Sequence, residues 1–301
     1  MTVSQDVEIE GRTLRVTNLD KVLYPNGFTK AQVIDYYIRV APALLRHLAG
    51  RPITLKRYPN GTEGQFFYEK NCPSHRPEWV NTVKVPRARG DERFITYCTV
   101  DDLPTLVWLA NLAAIELHPL LARAVDVDSP THVVFDLDPG PPAGLLECAR
   151  VGCLVRQELD GMGLQCFPKT SGSKGLQLYV PLNRPHTYEQ TKPFAHRLAA
   201  ALARRHPELV VEKMDKSLRK GKVLIDWSQN HPTKTTVGPY SLRARERPTV
   251  STPVRWGEVE DLLAGGDASQ LAFDATQVLD RLNEEGDLFE PVATLHQELP
   301  V

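Results

Sequence analysis

The sequence predicts an α/β fold. Short apolar, β-branched runs at residues 53–58, 132–138, 176–181 and 223–228 alternate with longer segments of helical periodicity at 30–48, 145–162 and 189–205. A composition of 42% hydrophobic and 24% charged residues is that of an ordinary globular protein able to bury a full core. No repeat, low-complexity tract or inter-domain linker interrupts the 301 residues, so the chain reads as a single domain, 1–301.

Residues 7–16 alternate around a turn and predict a hairpin. Thr29 is the expected N-cap of a helix whose apolar positions run from Ala31 toward Leu48. A strand at 53–58, a Gly-rich connection and a short aromatic strand at 66–68 follow. Asp101–Leu117 reads as one helix, capped at Asp101 and Asp102 with Pro104 in its first turn. His118 would then stand at a helix end, where the dipole favours an imidazolium. Next come a strand at 132–138 and a helix from Leu145 to Met162 that stops near Gly163. Strands are expected at 164–167, 176–181 and 223–228, with a helix at 189–205 between the last two, and two short helices after Trp256.

A net charge of −1 argues against a uniformly basic coat but leaves room for a local nucleic-acid footprint. Lys213, Lys216, Arg219, Lys220 and Lys222 fall within ten residues, and Arg243, Arg245 and Arg247 alternate soon after. A solvated face is the plainer reading of either run alone. No run of 18 apolar residues occurs and the first residues carry neither a basic n-region nor an apolar h-region, so a cytoplasmic protein is expected. Cys72, Cys98, Cys148, Cys153 and Cys166 show no disulfide rhythm and are expected as reduced thiols. Cys72 and His75 make half a zinc motif with no second half.

The most informative stretch is Thr131–Gly140, in which an apolar strand ends in Asp136-Leu137-Asp138 and then Pro-Gly. Alternate strand residues share a face, so both carboxylates point one way and Leu137 points back into the core. Like charges held so close repel unless cations sit between them. Paired strand-end carboxylates of this kind build two-metal phosphoryl-transfer sites, although D-x-D also serves as turn or cap chemistry. A second motif, Lys169–Gly175 (KTSGSKG), is a small-residue loop between predicted strands that can turn backbone N–H groups toward an anion, with Lys174 adding charge. It lacks the Walker A order, and a plain hairpin turn is the competing reading. The third, KVLIDWSQN at 222–230, delivers Asp226 at another strand end, where a surface or cap aspartate is the bland alternative. Phe66 and Phe67 are adjacent on a strand, so one is expected in the core and the other as a stacking platform for a base.

Together FDLDPG, TSGSKGL, KVLIDWSQN, PYSLRAR and DLFEPVATLHQELP resemble, in order and over nearly the whole chain from Thr17 to Pro300, the polymerase domain of bacterial DNA ligase D. That family is a branch of the archaeo-eukaryotic primase superfamily active in non-homologous end joining. The resemblance implies a primase core with an RRM-like, antiparallel or mixed sheet flanked by helices. It also implies metal-dependent nucleotidyl transfer from NTP or dNTP to a primer 3′-hydroxyl, with ribonucleotides preferred and two Mn2+ or Mg2+ ions. Asp136, Asp138 and Asp226 match the metal-binding triad, and His118 the active-site histidine. Ser171, Lys174, Arg219, Gln229, Arg243 and Lys56 match positions around the incoming nucleotide. Lys21 and Lys30 match lysines that read a downstream 5′-phosphate, and Phe66, Phe67 and Arg57 match positions on DNA. Partners implied are gapped or overhanging DNA ends with a 5′-phosphate, Ku, and an ATP-dependent DNA ligase on the same or a separate chain. No membrane is involved, and the protein would join the nucleoid during repair.

The chain departs from the family at Gln177, where a histidine is expected after the loop. Unlike histidine, Gln177 cannot become charged, so either the grip on phosphate or sugar changes or the residue only packs. The Tyr24–Lys30 loop is also one residue short. Covalent ligase chemistry is excluded, since the nearest approach to K-x-D-G has Glu158 in place of the lysine. A metal-dependent nuclease and a non-catalytic end-binding module are the competing readings.

Overall fold

The computed structural model describes residues 4–86 and 93–300. Along the chain they form β1 (Ser4–Ile9), β2 (Arg12–Thr17), α1 (Lys30–Leu48), β3 (Ile53–Arg57), β4 (Phe67–Glu69), β5 (Thr82–Pro86), β6 (Phe94–Cys98), α2 (Leu103–Asn111) and β7 (Ala114–Pro119). They continue with β8 (Ala122–Arg123), β9 (Asp126–Pro130), β10 (His132–Pro139), α3 (Leu145–Gly161), β11 (Phe167–Thr170), β12 (Leu176–Pro181) and α4 (Tyr188–Arg205). Last come β13 (Val210–Val211), β14 (Val223–Asp226), α5 (Trp256–Leu263), α6 (Ala275–Glu285) and α7 (Glu290–Thr294). The α/β class holds. Two compact units share these elements: one comprises residues up to Leu120, Thr235–Val250 and Asp274–Asp287, the other Leu121–Lys234, Ser251–Phe273 and the residues from Leu288 on.

In the first unit β3 is central. It pairs antiparallel with β4, β6 and β7, and β5 continues the sheet beside β6. Thr29 caps α1 in a capping box with Gln32, as its sequence predicts. The buried face of α1 is pinned by two phenols: Tyr37 donates to the Ile115 carbonyl at 2.6 Å and Tyr36 to the Tyr240 carbonyl at 2.8 Å.

Several expectations differ from the structure. The segment expected as one helix from Asp101 to Leu117 divides: α2 ends at Asn111, Ala113 takes a left-handed φ of 56°, and the chain re-enters the sheet as β7. His118 therefore stands on a strand and not at a helix end. Cys72 and Cys98, expected as thiols, are joined by a disulfide that ties the approach to β5 to the end of β6. The strand expected at 164–167 begins at Phe167, and the tail after Trp256 holds three α-helices among the described residues, not two.

In the second unit the sheet order is β11-β12-β10-β14-β13, antiparallel except for the parallel pair β13–β14. One face carries Leu137, Leu176 and Ile225, all fully buried. Gly152 lets α3 approach this face, since an added Cβ would lie 3.0 Å from Leu176 Cδ2 and 3.7 Å from Leu137 Cδ1. Truncating Leu137 to alanine there would cost about 2–5 kcal/mol. The opposite face is divided along β10. At one end Val134 packs with Leu121, Tyr179, Phe289 and Val292; at the other stand the aspartates. Where β14 ends, Asn230 takes over the edge of β10, accepting from the Val134 N–H at 2.9 Å and donating to its carbonyl at 2.8 Å.

Candidate active site

The second unit brings the three predicted carboxylates to one sheet face. Asp136 on β10 is the in-register partner of Asp226 on β14, and Asp138 lies two residues further along the same face, opposite Leu224. Two glycines allow backbone to crowd this end of the strand. A Cβ at Gly140 would lie 2.0 Å from the Arg219 carbonyl oxygen, and one at Gly175 would lie 2.2 Å from that of Leu137.

Burial, followed by the charges of Asp138 and Asp226, pushes the Asp136 carboxyl up to about 7, against a hydrogen bond from Gln177 and the charge of Lys169. Asp226 is already engaged. Its Oδ1 accepts from the Ser228 N–H at 2.9 Å and from Ser228 Oγ at 2.5 Å, and its Oδ2 from Gln229 Nε2 at 2.9 Å. The cap reading of Asp226 is thus realised, and a carboxylate oxygen that accepts a hydrogen bond keeps a lone pair for a further partner. Carboxylate oxygens on one sheet face are the hard donors that Mg2+ or Mn2+ takes, although no three such groups among the described residues are already arranged around a single metal position.

Around them stand the predicted nucleotide residues of this unit. Ser171 is turned into its own loop, where Oγ accepts from the N–H groups of Ser173 at 3.2 Å and Gly175 at 3.0 Å. Ser171 therefore shapes the loop, and Lys174 at its tip is exposed. Arg219 donates to the Met214 carbonyl at 2.6 Å, and Gln229 is held on Asp226. Gln177 faces the carboxylates and not the α3 side, donating from Nε2 to Asp136 Oδ1 at 3.0 Å.

The first unit gathers a second cluster around a residue that the sequence reading missed. Glu116, 2% exposed, is the in-register partner of Lys56, which also pairs with Tyr68 across β3. Its Oε2 meets His118 Nε2 at 2.9 Å; its Oε1 lies 3.7 Å from Lys56 Nζ and 3.4 Å from Arg243 Nε, and accepts the Ala244 N–H at 3.1 Å. Burial pushes the Glu116 carboxyl up, but the His118 hydrogen bond and the charges of Arg243, His118 and Lys56 outweigh it and bring it to about 2. Burial lowers the His118 pKa and so do Arg243 and Lys56, against the pull of Glu116. A hydrogen bond from the ring to the Glu116 carboxylate requires the proton to be on Nε2. The period-2 spacing of Glu116 and His118 was the available signal, masked by their assignment to a helix.

Phe66 and Phe67, expected on opposite sides of a strand, are both exposed, at 45% and 50%, and the unpredicted Tyr68 is exposed at 61%. The reason is that β4 is an edge strand beginning at Phe67, leaving Phe66 outside the pleat. Lys56 Nζ lies 4.3 Å from the Phe66 ring centre and 5.5 Å from that of Tyr68. Arg57 is tied within the sheet, donating to Glu69 Oε2 at 2.7 Å and to the Leu112 carbonyl at 3.0 Å. Lys21 is exposed and donates to Asn60 Oδ1 at 3.2 Å. Lys30 is buried, its ammonium 2.6 Å from the Thr17 carbonyl, and its N–H donates to the Lys21 carbonyl at 2.8 Å.

Among solved structures, the chain is similar to the polymerase domain of Mycobacterium tuberculosis ligase D in complex with DNA, with a TM-score of 0.85 and 40% identity over 94% of this chain and 99% of that one. It is 43% identical over 282 residues to the multifunctional non-homologous end joining protein LigD of Mycolicibacterium smegmatis, covering 93% of this chain and 36% of that protein. To the bifunctional non-homologous end joining protein LigD of Bacillus subtilis it is 34% identical over 297 residues, covering 94% of this chain and 46% of that protein. The chain thus spans less than half the length of either relative. The family model described as LigD, primase-polymerase domain, matches residues 29–289, and the chain belongs to that family.

Proposed function

We propose that this chain is a DNA-end-directed primase-polymerase, transferring nucleotides from NTP or dNTP to a primer 3′-hydroxyl during double-strand-break repair by non-homologous end joining. The observation that carries the reading is the in-register pair of Asp136 and Asp226 with Asp138 on the same sheet face. These three would hold two divalent ions, Mn2+ or Mg2+. When bound, the ions supply neutralisation of triphosphate charge and activation of the primer hydroxyl.

The remaining roles belong to the chain's own side chains. Lys174 and Arg219 would offer charge to the triphosphate, for which an arginine can be bidentate; Arg243 and Lys56 stand in the cluster built on Glu116, and their nucleotide role is proposed from the family resemblance alone. The Ser171 turn fixes the loop that carries Lys174. His118, donating from Nε2 to Glu116, would in its neutral form leave Nδ1 as an acceptor for a hydroxyl of nucleotide or primer. Gln229 orients Asp226. Phe66 and Phe67 would stack on bases, Arg57 would brace the strand that presents them, and Lys21 with Lys30 would read a downstream 5′-phosphate.

The two units would work as one domain, 1–301, the chain passing between them five times. Gapped or overhanging DNA ends, Ku and an ATP-dependent DNA ligase are the partners proposed, in the cytoplasm at the nucleoid. No helix among the described residues is long and apolar enough to cross a membrane. Primer extension on a 5′-phosphorylated gapped duplex, comparing ATP with dATP under Mn2+, tests the reading. Incorporation with preference for ATP supports it; degradation of the primer, or binding without incorporation, overturns it.

A further inference from the structure

Lys169 has no place among the roles above, yet it is fully buried, at 0% exposure. It begins a row of four residues that crosses the sheet of the second unit: Lys169 is in register with Gln177, Gln177 with Asp136, and Asp136 with Asp226. The hydrogen bonds follow the row. Lys169 Nζ donates to Gln177 Oε1 at 2.5 Å, and Gln177 Nε2 donates to Asp136 Oδ1 at 3.0 Å. On its other side Nζ donates to Ser251 Oγ at 2.6 Å, and that hydroxyl donates onward to the Thr170 carbonyl at 3.0 Å.

The direction of this chain of donors matters because a primary amide has two ends of nearly equal size and opposite hydrogen-bonding character. Beside a carboxylate only the NH2 end is attractive; the oxygen end repels. An ammonium has donors and no acceptor, so at Oε1 it selects one of the two amide orientations and directs Nε2 at Asp136. The Ser251 proton is committed to Thr170, which turns a lone pair toward Nζ and fixes the lysine in turn. Groups that hold a ligating side chain in place ordinarily change metal affinity about 10–100-fold when removed.

We propose that Lys169 is a positioning residue for Asp136, acting through the amide of Gln177 and anchored by Ser251. The proposal rests on the reading of Asp136 as a metal ligand. Its competitor is a purely architectural Lys169 that joins the segment around Ser251 to β11 and has no influence on the carboxylate.

The test is Mn2+ binding to the nucleotide-free protein, read as the electron paramagnetic resonance signal of free Mn2+, with a thermal melt on every variant. Lys169→Met keeps the length and removes the donors, and it should weaken Mn2+ binding about tenfold. In a Gln177→Leu background, itself weakened, Lys169→Met should add little further loss, because the two act in series. Ser251→Ala should give a smaller loss that likewise vanishes in that background. Should Lys169→Met not fold, the Ser251→Ala pair decides by the same criterion. Wild-type Mn2+ affinity in folded Lys169→Met, or an equal loss with and without Gln177, overturns the proposal. Asp136→Asn is measured alongside: unchanged Mn2+ binding there would defeat the metal reading itself, whatever Lys169 does.

Discussion

Asp136 and Asp226 are direct partners on neighbouring antiparallel strands, so two carboxylates rise from one rung of the sheet with Asp138 beside them. Like charges directly opposite each other destabilise a strand pair. A sheet that keeps them there holds an arrangement that folding alone does not favour, a penalty that a cation bound between them would remove.

Mn2+ should therefore raise the melting temperature of the wild-type protein. A ligand present at a hundred times its dissociation constant contributes about 2.7 kcal/mol. Asp136→Asn should lose both this increment and primer extension, while Asn Oδ1 can still accept from Gln177. Without metal, the variant should melt at or above the wild-type temperature at pH 8, because burial and two neighbouring charges penalise the ionised Asp136 carboxyl, which titrates at about 7. Differential scanning fluorimetry with and without Mn2+ reads all of this. An equal Mn2+ shift in the variant would remove Asp136 from the ligand set.

Glu116 predicts an acid limb. Its folded pKa of about 2 lies below the ordinary carboxylate value of 4.5, so its contribution is fully present above that value and is lost as pH falls toward 2. The shift corresponds to about 3 kcal/mol. Glu116→Gln should destabilise the protein by about 2–3 kcal/mol at pH 7 and flatten the stability profile below pH ~4.5. Denaturant melts at pH 7 and at pH 3 check it: an equal deficit at both would mean that Glu116 is held by packing and not by its charge partners.

Much of this site was legible because its carboxylates end apolar, β-branched strands, where period-2 alternation assigns faces without any tertiary information. Asp136, Asp138 and Asp226 were readable for that reason. Glu116 was not. Asn111 to Leu117 is made of residues at home in a helix, and the break at Ala113 is a left-handed alanine that no Gly or Pro announces. Lys169 was hidden for a different reason: a lysine beside a loop reads as solvated, and only the cross-strand register of β11 with β12 places it in the interior. The exposure of both Phe66 and Phe67 depended on β4 being a short edge strand, which is a property of sheet order and not of the residues themselves.

The exposed aromatics should contribute to DNA affinity and little to stability. Base–aromatic stacking is worth about 1–3 kcal/mol per base. Phe66→Ala and Tyr68→Ala should each weaken binding to a 3′ overhang within that range and change unfolding free energy by no more than about 0.5 kcal/mol. Fluorescence anisotropy against overhangs of different sequence should show similar losses on each, since every base offers a π-face. A large loss of stability in Phe66→Ala would reassign the ring to the packing around Tyr58, whose ring centre lies 5.5 Å away.

Lys30 makes the 5′-phosphate reading testable by pH. Burial, with a smaller part from the charge of Lys21, lowers its pKa from 10.5 to about 8. A terminal phosphate is already close to dianionic above pH ~7, its second pKa being about 6, so between about pH 7 and 9 the changing partner is the lysine. The preference for a 5′-phosphorylated gap over an unphosphorylated one should decline across that interval. Stability moves the other way. A lysine with a depressed folded pKa favours the folded state most above its unfolded pKa and loses that contribution as pH falls through the folded one, so the protein gains stability between about pH 8 and 10.5. Weaker binding alongside a firmer fold cannot be blamed on unfolding. Lys30→Arg should hold its charge and flatten the decline, and Lys21→Ala, which removes a repelling charge, should move the midpoint to higher pH while lowering affinity. The measurement is the ratio of dissociation constants for the two gapped duplexes at pH 7 and pH 9, at one salt concentration because phosphate contacts are salt-dependent. A ratio that stays constant from pH 7 to pH 9 would take Lys30 out of phosphate recognition and leave it as the residue that ties α1 to Thr17.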